Sequence, residues 1–396
     1  MPTEVTPGSI EDIAREMRQA GENRQTVEIG GNFTKRSMGG PVAAADVILS
    51  TRRLNRIVAY EPKDLTLSVE AGMKFRDLVA ALRANGQMLP LDPPFTDEAT
   101  VGGVVAANSS GPRRRRYGTA RDMVIGMKIA TVEGAIVSSG GMVVKNVTGL
   151  DMAKLLIGSF GTLAAMVTVN FKVFPLPEAE RSFVAASGSI GKLLDLRRSI
   201  LKGALQPTAI DLLNPDAAIY LPGDLPKGYL LVMECSGNGP SVDRYEREYG
   251  ALARQAGVSL VALPDDVAAA VWEAIRNLTP RLAGEQGFVL RLSATPARIE
   301  DLFQVSVSGN GPLPVLARAG VAVAYAYCSS GKAARGILQR ARAAGIRSLV
   351  ESSPLDQKQE LELWPDLGTE FALMQRLKSA LDPHNLLNPG RLWGRL

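Results

Sequence analysis

The chain has 396 residues, 46 % of them hydrophobic and 21 % charged, and a net charge of +5. Its length predicts two or three structural units at roughly 100–200 residues each, and its near-average composition excludes a largely disordered chain. Two cysteines exclude a disulfide framework, and a single histidine, His384, excludes a histidine-rich metal centre, so no metal is expected. Apolar runs such as Val321–Ala326 fall far short of the roughly 20 residues that span a bilayer, and no signal-peptide pattern opens the chain. A cytoplasmic address follows, and the mildly basic balance suits small anionic ligands better than nucleic acid.

The first predicted element is a helix from Ile10 to about Ala20, capped by Ser9 and ended by Gly21, with Ile10, Ile13, Ala14 and Met17 on one face. Thr26–Gly31 alternates like a strand and runs into a glycine turn. Leu65–Gly72 reads as a second strand, with Leu65, Leu67 and Val69 on one side. A helix over Lys74–Asn85 turns Phe75, Leu78, Val79 and Leu82 inward and closes at Gly86. Met127–Val132 and Ala135–Ser138 form a hairpin around Glu133-Gly134. Leu155–Phe160 is a short helix candidate, and Met166–Phe174 reads as a long strand. Pro175 and Pro177 then mark a boundary.

From about residue 180 to 355 strands and helices alternate: Tyr229–Cys235, Val258–Leu263, Phe288–Ser293 and Val321–Cys328 as strands, and Val242–Ala256, Asp266–Arg276, Ala297–Phe303 and Lys332–Ala344 as helices. That alternation predicts an α+β sheet with helices on one face. A last helix, Phe371–Leu381, turns Phe371, Met374, Leu377 and Leu381 inward. The predicted division is 1–178, 179–360 and a C-terminal segment, 361–396, that returns to the first domain.

Three glycine clusters lie in the first half: IGGNFTKRS (29–37), ATVGGVVAANSSG (99–111) and IGSFGTL (157–163). Glycine lets backbone N–H groups approach a ligand closely, and successive amides can form nests for a diphosphate. Each cluster taken alone is equally well read as tight turns. The chain has neither G-x-G-x-x-G after a strand nor G-x-x-x-x-G-K-[ST], so neither a Rossmann site nor a P-loop is predicted.

Five motifs in order carry a resemblance: EIGGNFTK, PLDPPFTDEATVGGVVAANSSG, YGTARDMVIGMKIATVEG, the closing segment at 145–175 with its glycine turn, and LDPHNLLNPGRL at 381–392. Together they resemble the vanillyl-alcohol-oxidase / p-cresol-methylhydroxylase-type FAD-binding family. The resemblance implies an α+β fold: an FAD-binding domain of two α+β subdomains, and an α+β cap domain of antiparallel sheet plus helices. The wording of 139–154 is most similar to the FAD-binding E subunits of bacterial glycolate oxidases. That likeness implies oxidation of glycolate to glyoxylate and electrons passed to an acceptor other than oxygen. It also implies partner subunits, namely a second flavoprotein and an iron–sulfur subunit, with peripheral association at the inner face of a membrane compatible with it.

Carried over by position, the resemblance implies FAD contacts from Gly30, Gly31, Asn32, Phe33 and Thr34, from Thr100, Gly102, Gly103, Asn108 and Gly111, from Gly158, Gly161, Thr162 and Val167, and from Asn388 and Arg391. Covalent flavin links in this family use His, Cys or Tyr. No His or Cys lies in residues 1–234, so noncovalent FAD is expected. Lys35 stands where the family has a small residue and reads as a solvated loop lysine, set against a direct charge on the diphosphate.

The catalytic groups are harder to read. Oxidising a 2-hydroxy acid needs a base for the hydroxyl proton and a cation for the carboxylate. Related dehydrogenases supply histidines around a divalent metal, and where they show His-Ala-Gly this chain has Arg318-Ala319-Gly320. Arg291 and Arg318 are the candidate carboxylate partners, set against a reading as ordinary surface salt bridges. Tyr325 is a candidate lining residue, set against core packing. The run Arg113–Arg116 lacks interleaved aromatics and reads as a docking surface or solvated loop. Two alternatives stay open: a self-sufficient FAD-dependent dehydrogenase of another alcohol or hydroxy acid, and a non-catalytic subunit with a vestigial flavin site.

Overall fold

Ser9 accepts a hydrogen bond from the Asp12 N–H at 3.1 Å and caps the helix Ile10–Glu22, which buries Ile13, Ala14, Met17 and Ala20. The helix runs through Gly21 instead of ending there. A Cβ at Gly21 would lie 2.6 Å from the Val132 carbonyl oxygen, so the glycine serves close approach and not termination. The computed structural model describes all residues except 41–43, 144–150, 310, 366–367 and 393–395. It divides into one unit of Met1–Ser110, Gly118–Leu176 and Asp366–Leu396, and a second of Gly111–Tyr117 and Pro177–Pro365.

In the first unit, Val47–Ser50 pairs in parallel with Thr3–Val5 on one side and Val27–Gly30 on the other. A separate five-stranded antiparallel sheet runs in the order Ile57–Glu61, Thr66–Glu70, Ala165–Lys172, Val124–Ala130, Ile136–Gly140. Every residue of Thr66–Glu70 is buried, so this strand is covered on both faces. Leu65, expected within it, instead takes a left-handed φ of 54° as the residue that ends a 3-10 turn. The glycine cluster after Ala99 also differs from a turn. Val101–Ala106 is helical, and Thr100 Oγ1 accepts from the Gly103 N–H at 3.3 Å. The short helix before the long strand is Ala153–Leu156, earlier than expected, because Ile157 is already extended and ends it. The stretch 144–150 of the resemblance motif lies outside the described residues.

The second unit is built on eight antiparallel strands in the order Ser259–Ala262, Ala179–Ser187, Tyr229–Gly237, Ala209–Leu213, Val315–Arg318, Val323–Cys328, Phe288–Ser293, Arg347–Ser352. Helices were expected on one face only, and the sheet carries them on both. Phe183 and Ala185 pack with Leu193 and Tyr249 of the helices Ile190–Lys202 and Gly239–Ala256. Val184 and Val232 point the other way, onto Val271 and Trp272 of the helix Asp265–Arg276. Trp272 fixes that helix by donating to Ser182 Oγ at 2.9 Å.

The returning helix, Glu370–Leu381, also departs from its apolar pattern. Phe371 is buried as expected, but the second buried residue is Lys378, while Met374, Leu377 and Leu381 stay partly exposed. Lys378 Nζ donates to Asp382 at 2.6 Å and to the carbonyls of Thr162 (2.7 Å) and Leu387 (2.9 Å). Asp382 in turn accepts from the Leu386 and Leu387 N–H groups at 3.0 and 2.8 Å. Asp382→Ala would strand a buried ammonium, and the expected loss is about 3–5 kcal/mol of stability. Urea unfolding measures this, and an unshifted midpoint would show that the pair carries no such weight.

Candidate functional site

The first unit holds an open cleft with about 750 Å³ of empty space, part of it continuous with solvent. Most of its walls come from the turn after Val27–Gly30, the helix Val101–Ala106, the Phe160-Gly161 turn and the C-terminal segment, with Thr51, Ala71, Ala164 and Met166 completing them. Of the residues expected at a cofactor, Gly30, Gly31, Asn32, Phe33, Thr34, Thr100, Gly102, Gly103, Gly161, Asn388 and Arg391 line this cleft. The others do not. Val167 is core, and Thr162 is buried with its hydroxyl donated to the Ser159 carbonyl at 2.8 Å. Asn108 is exposed at a φ of 47°, Gly158 gives its N–H to the Val105 carbonyl at 3.2 Å, and Gly111 belongs to the second unit.

Two glycines are required by space and not by dihedral angle. A Cβ at Gly31 would lie 2.1 Å from Thr100 Oγ1, and one at Gly102 would lie 2.8 Å from the Ala71 Cβ. The first pair of glycine clusters therefore meets at Gly31 and Thr100, closer than any side chain permits. Phe33, Phe160 and Asn388 take left-handed φ values of 55°, 52° and 42°. Such conformations cost roughly 1–3 kcal/mol each in non-glycine residues and persist where the surroundings over-determine them.

The over-determination is visible at Asn388. Its Oδ1 accepts from the Ile29 N–H at 2.8 Å, and its Nδ2 donates to the carbonyls of Phe160 (2.6 Å) and Ile29 (3.3 Å). Arg391 donates to the Arg36 carbonyl at 3.1 Å and to the Lys35 carbonyl, and its guanidinium stands 5.8 Å from the Phe160 ring centre. Both C-terminal residues thus line the cleft while bracing its walls.

The ionisable lining residues are Glu28, Lys35, Arg36 and Arg391, three cations against one carboxylate, a net of +2. Arg36 grips Glu28 through two contacts of 2.8 Å. Lys35, read from sequence as a solvated lysine, is only 6 % exposed. Its backbone carbonyl accepts from Arg391. Burial pushes its ammonium down from 10.5 to about 8, and burial likewise lowers Arg391 to about 10. Sequence reasoning singled out Lys35 by its departure from a small residue but favoured the solvated reading, which its burial overturns.

The second unit holds a different cluster. Arg318 is 7 % exposed and ion-paired with the fully buried Asp211, so the surface-salt-bridge reading fails for it: the two face each other across adjacent strands. Burial works against the Arg318 charge, and the Asp211 carboxylate with Tyr325 and Tyr327 more than offsets it. Among the described residues its Nε has no hydrogen-bond partner, and its guanidinium lies 5.8 Å from the Tyr325 ring centre. Tyr325 is opposite Arg291 in the next strand pair, and among the described residues the buried Arg291 Nε also has no hydrogen-bond partner. Glu351 is the extra residue of a β-bulge, between Val350 opposite Leu290 and Ser352 opposite Val289. Bulges re-aim side chains in this way. Burial pushes its carboxyl up, while Arg291, Arg114 and Arg318 pull it down.

The arginine run is neither a solvated loop nor a free docking face. Arg113 pairs with Glu234 at 2.8 Å, and Arg115 donates to Gln206 at 2.8 Å across Gly320, where a Cβ would meet its Cδ at 2.1 Å. Arg114 is half-buried among Tyr325, Arg291, Arg318 and Glu351, and only Arg116 is exposed. Alternation of small and charged residues hides such convergence in a linear reading. His384 is exposed, with Nδ1 3.3 Å from Arg24.

Residues 3–140 match the family model described as FAD binding domain, and residues 363–392 match that described as FAD linked oxidases, C-terminal domain. The chain is 25 % identical to glycolate oxidase subunit GlcD of Bacillus subtilis, over 99 % of this chain and 88 % of that protein. It is 37 % identical to glycolate oxidase subunit GlcE of Escherichia coli, over 43 % of this chain and 48 % of that one. D-2-hydroxyglutarate dehydrogenase of Xanthomonas citri is 26 % identical over 98 % of this chain and 88 % of that protein. The structure of 4-ethylphenol oxidase from Gulosibacter chungangensis superimposes with a TM-score of 0.74 at 17 % identity, covering 99 % of this chain and 89 % of that one. p-Cresol methylhydroxylase gives 0.74 at 15 %, covering 99 % and 88 %. Similarity extends to both glycolate oxidase subunit types, so the finer likeness of 139–154 does not single out one.

The cleft suits a dinucleotide: its net +2 matches the two charges of a diphosphate, and its closest walls carry no side chain at Gly31 and Gly102. Gly31→Ala would drive a methyl into Thr100, and FAD affinity is expected to fall at least about tenfold with the circular dichroism spectrum unchanged. Equal affinity for both proteins would place the cofactor elsewhere. The depressed Lys35 ammonium gives a pH signature in cofactor-free protein. The unfolded chain holds this proton more tightly, so the penalty is full below pH 8 and stability rises from about pH 8 to 10.5. Lys35→Met should flatten that rise, and equal slopes in the two proteins would contradict the burial. The fold is that of the p-cresol-methylhydroxylase-type FAD-binding proteins, its cofactor is FAD, and the chain is an FAD-dependent oxidoreductase.

Proposed function

We propose that this chain is the FAD-binding subunit of a glycolate oxidase or dehydrogenase complex, oxidising a small 2-hydroxy acid such as glycolate and passing electrons to an acceptor other than oxygen. The observation that carries the reading is the cluster of Arg114, Arg291 and Arg318 around Glu351 in the second unit. Three guanidiniums, two with buried Nε atoms that lack partners, suit a carboxylate-bearing ligand. The named relatives act on glycolate and D-2-hydroxyglutarate, both 2-hydroxy acids.

FAD, when bound, supplies a hydride acceptor for the carbon that bears the hydroxyl. The chain's own part is to hold the carboxylate through Arg291 and Arg318 and to accept the hydroxyl proton. Glu351 is the titratable acid of the cluster and the group proposed to accept it, which leaves a 2-oxo acid as product. The cofactor is proposed to be held noncovalently in the first unit. The other subunits of the complex, a second flavoprotein and an iron–sulfur protein, are part of the same proposal. Among the described residues no helix is long and apolar enough to cross a membrane.

Purification with cellular partners, followed by anaerobic addition of glycolate, tests the reading. The expected result is a yellow complex whose flavin bleaches. Arg291→Met should weaken binding of a carboxylate product analogue by about ten- to a hundredfold at unchanged flavin content. Bleaching of the isolated chain would favour a self-sufficient dehydrogenase, and a complex that no 2-hydroxy acid bleaches would end the proposal.

A further inference from the structure

We propose that Lys35 is the ammonium that neutralises the diphosphate of bound FAD through a direct ionic contact. The inference rests on FAD as the cofactor and not on the identity of the substrate.

Of the three cations that line the cleft, two are committed to the protein. Arg36 is spent on Glu28, the sole carboxylate among the described lining residues. Arg391 braces the loop through the carbonyls of Lys35 and Arg36. Lys35 is 94 % buried, yet among the described residues its ammonium makes only a long contact of 3.4 Å to Thr34 Oγ1 and stands 6.0 Å from the Phe95 ring centre. No carboxylate among the described residues pairs with it.

A buried ammonium without a counter-ion destabilises the protein that carries it. Loop geometry does not force this burden, because Arg391 grips the Lys35 backbone and would grip any residue there. The arrangement is stable only when an anion arrives, and the anion that this cleft receives is a diphosphate. A structural role and a ligand role therefore predict opposite signs. A structural lysine would stabilise the empty protein, whereas a ligand lysine burdens it and is relieved by binding.

The full chain, stripped of cofactor, is compared with Lys35→Met and Lys35→Arg. Melting temperature is measured without ligand, and affinities are measured for FAD, for ADP (diphosphate without flavin) and for riboflavin (flavin without phosphate). Lys35→Met is expected to melt no lower than the parent, to bind FAD and ADP at least about tenfold more weakly, and to bind riboflavin unchanged. Lys35→Arg should recover most of the lost affinity. If Lys35→Met binds FAD and ADP like the parent, or if it melts lower and loses riboflavin equally, the proposal is overturned. A parent that binds FAD but is bleached by no hydroxy acid sinks the substrate reading and leaves this one standing.

Discussion

A diphosphate carries two negative charges in a small volume, and the protein has to meet them without filling the space they occupy. The first unit answers with close approach of peptide groups. Gly31 and Thr100 stand so near that one methyl would bring them into collision, and Gly102 is equally tight against Ala71. Such contacts tolerate little drift, so the walls need bracing from outside. That bracing comes from the far end of the chain: Asn388 ties the strand at Ile29 to the Phe160 turn, and Arg391 clasps the loop carbonyls at Lys35 and Arg36. Lys378 and Asp382 hold the root of the same segment.

Strain and charge are concentrated where that bracing acts. Phe33, Phe160 and Asn388 all hold left-handed backbone at the cleft, and at Phe160 and Asn388 hydrogen bonds between remote residues stabilise it. The cations are arranged in the same spirit. Arg36 and Arg391 hold the protein together, and Lys35 is buried with no carboxylate partner among the described residues.

The second unit concentrates charge by a different route, on the polar part of a sheet face. Strand pairing alone sets Asp211 beside Arg318 and Arg291 beside Tyr325, because residues that are opposite in register project to the same side. A bulge adds Glu351, and the excursion at Gly111–Tyr117 adds Arg114. The helix Asp265–Arg276 covers another part of the same face through Val271 and Trp272.

Local patterns carried much of this in the sequence. The Ser9 cap, the Glu133-Gly134 hairpin and the strand Phe288–Ser293 depend on neighbouring residues and were legible there, as were the ordered glycine motifs that imply FAD. What the linear chain could not disclose was burial of charge. Lys35, Lys378, Arg318 and the arginine run all look like solvated residues, since what buries and pairs them lies far away in sequence. Helices on both faces of the large sheet were hidden for a related reason, because alternation along one strand does not say which helix covers which side. Short-range propensity determined the elements. Only tertiary packing decided which charges leave water, because desolvation depends on everything that surrounds a group and not on its neighbours in the chain.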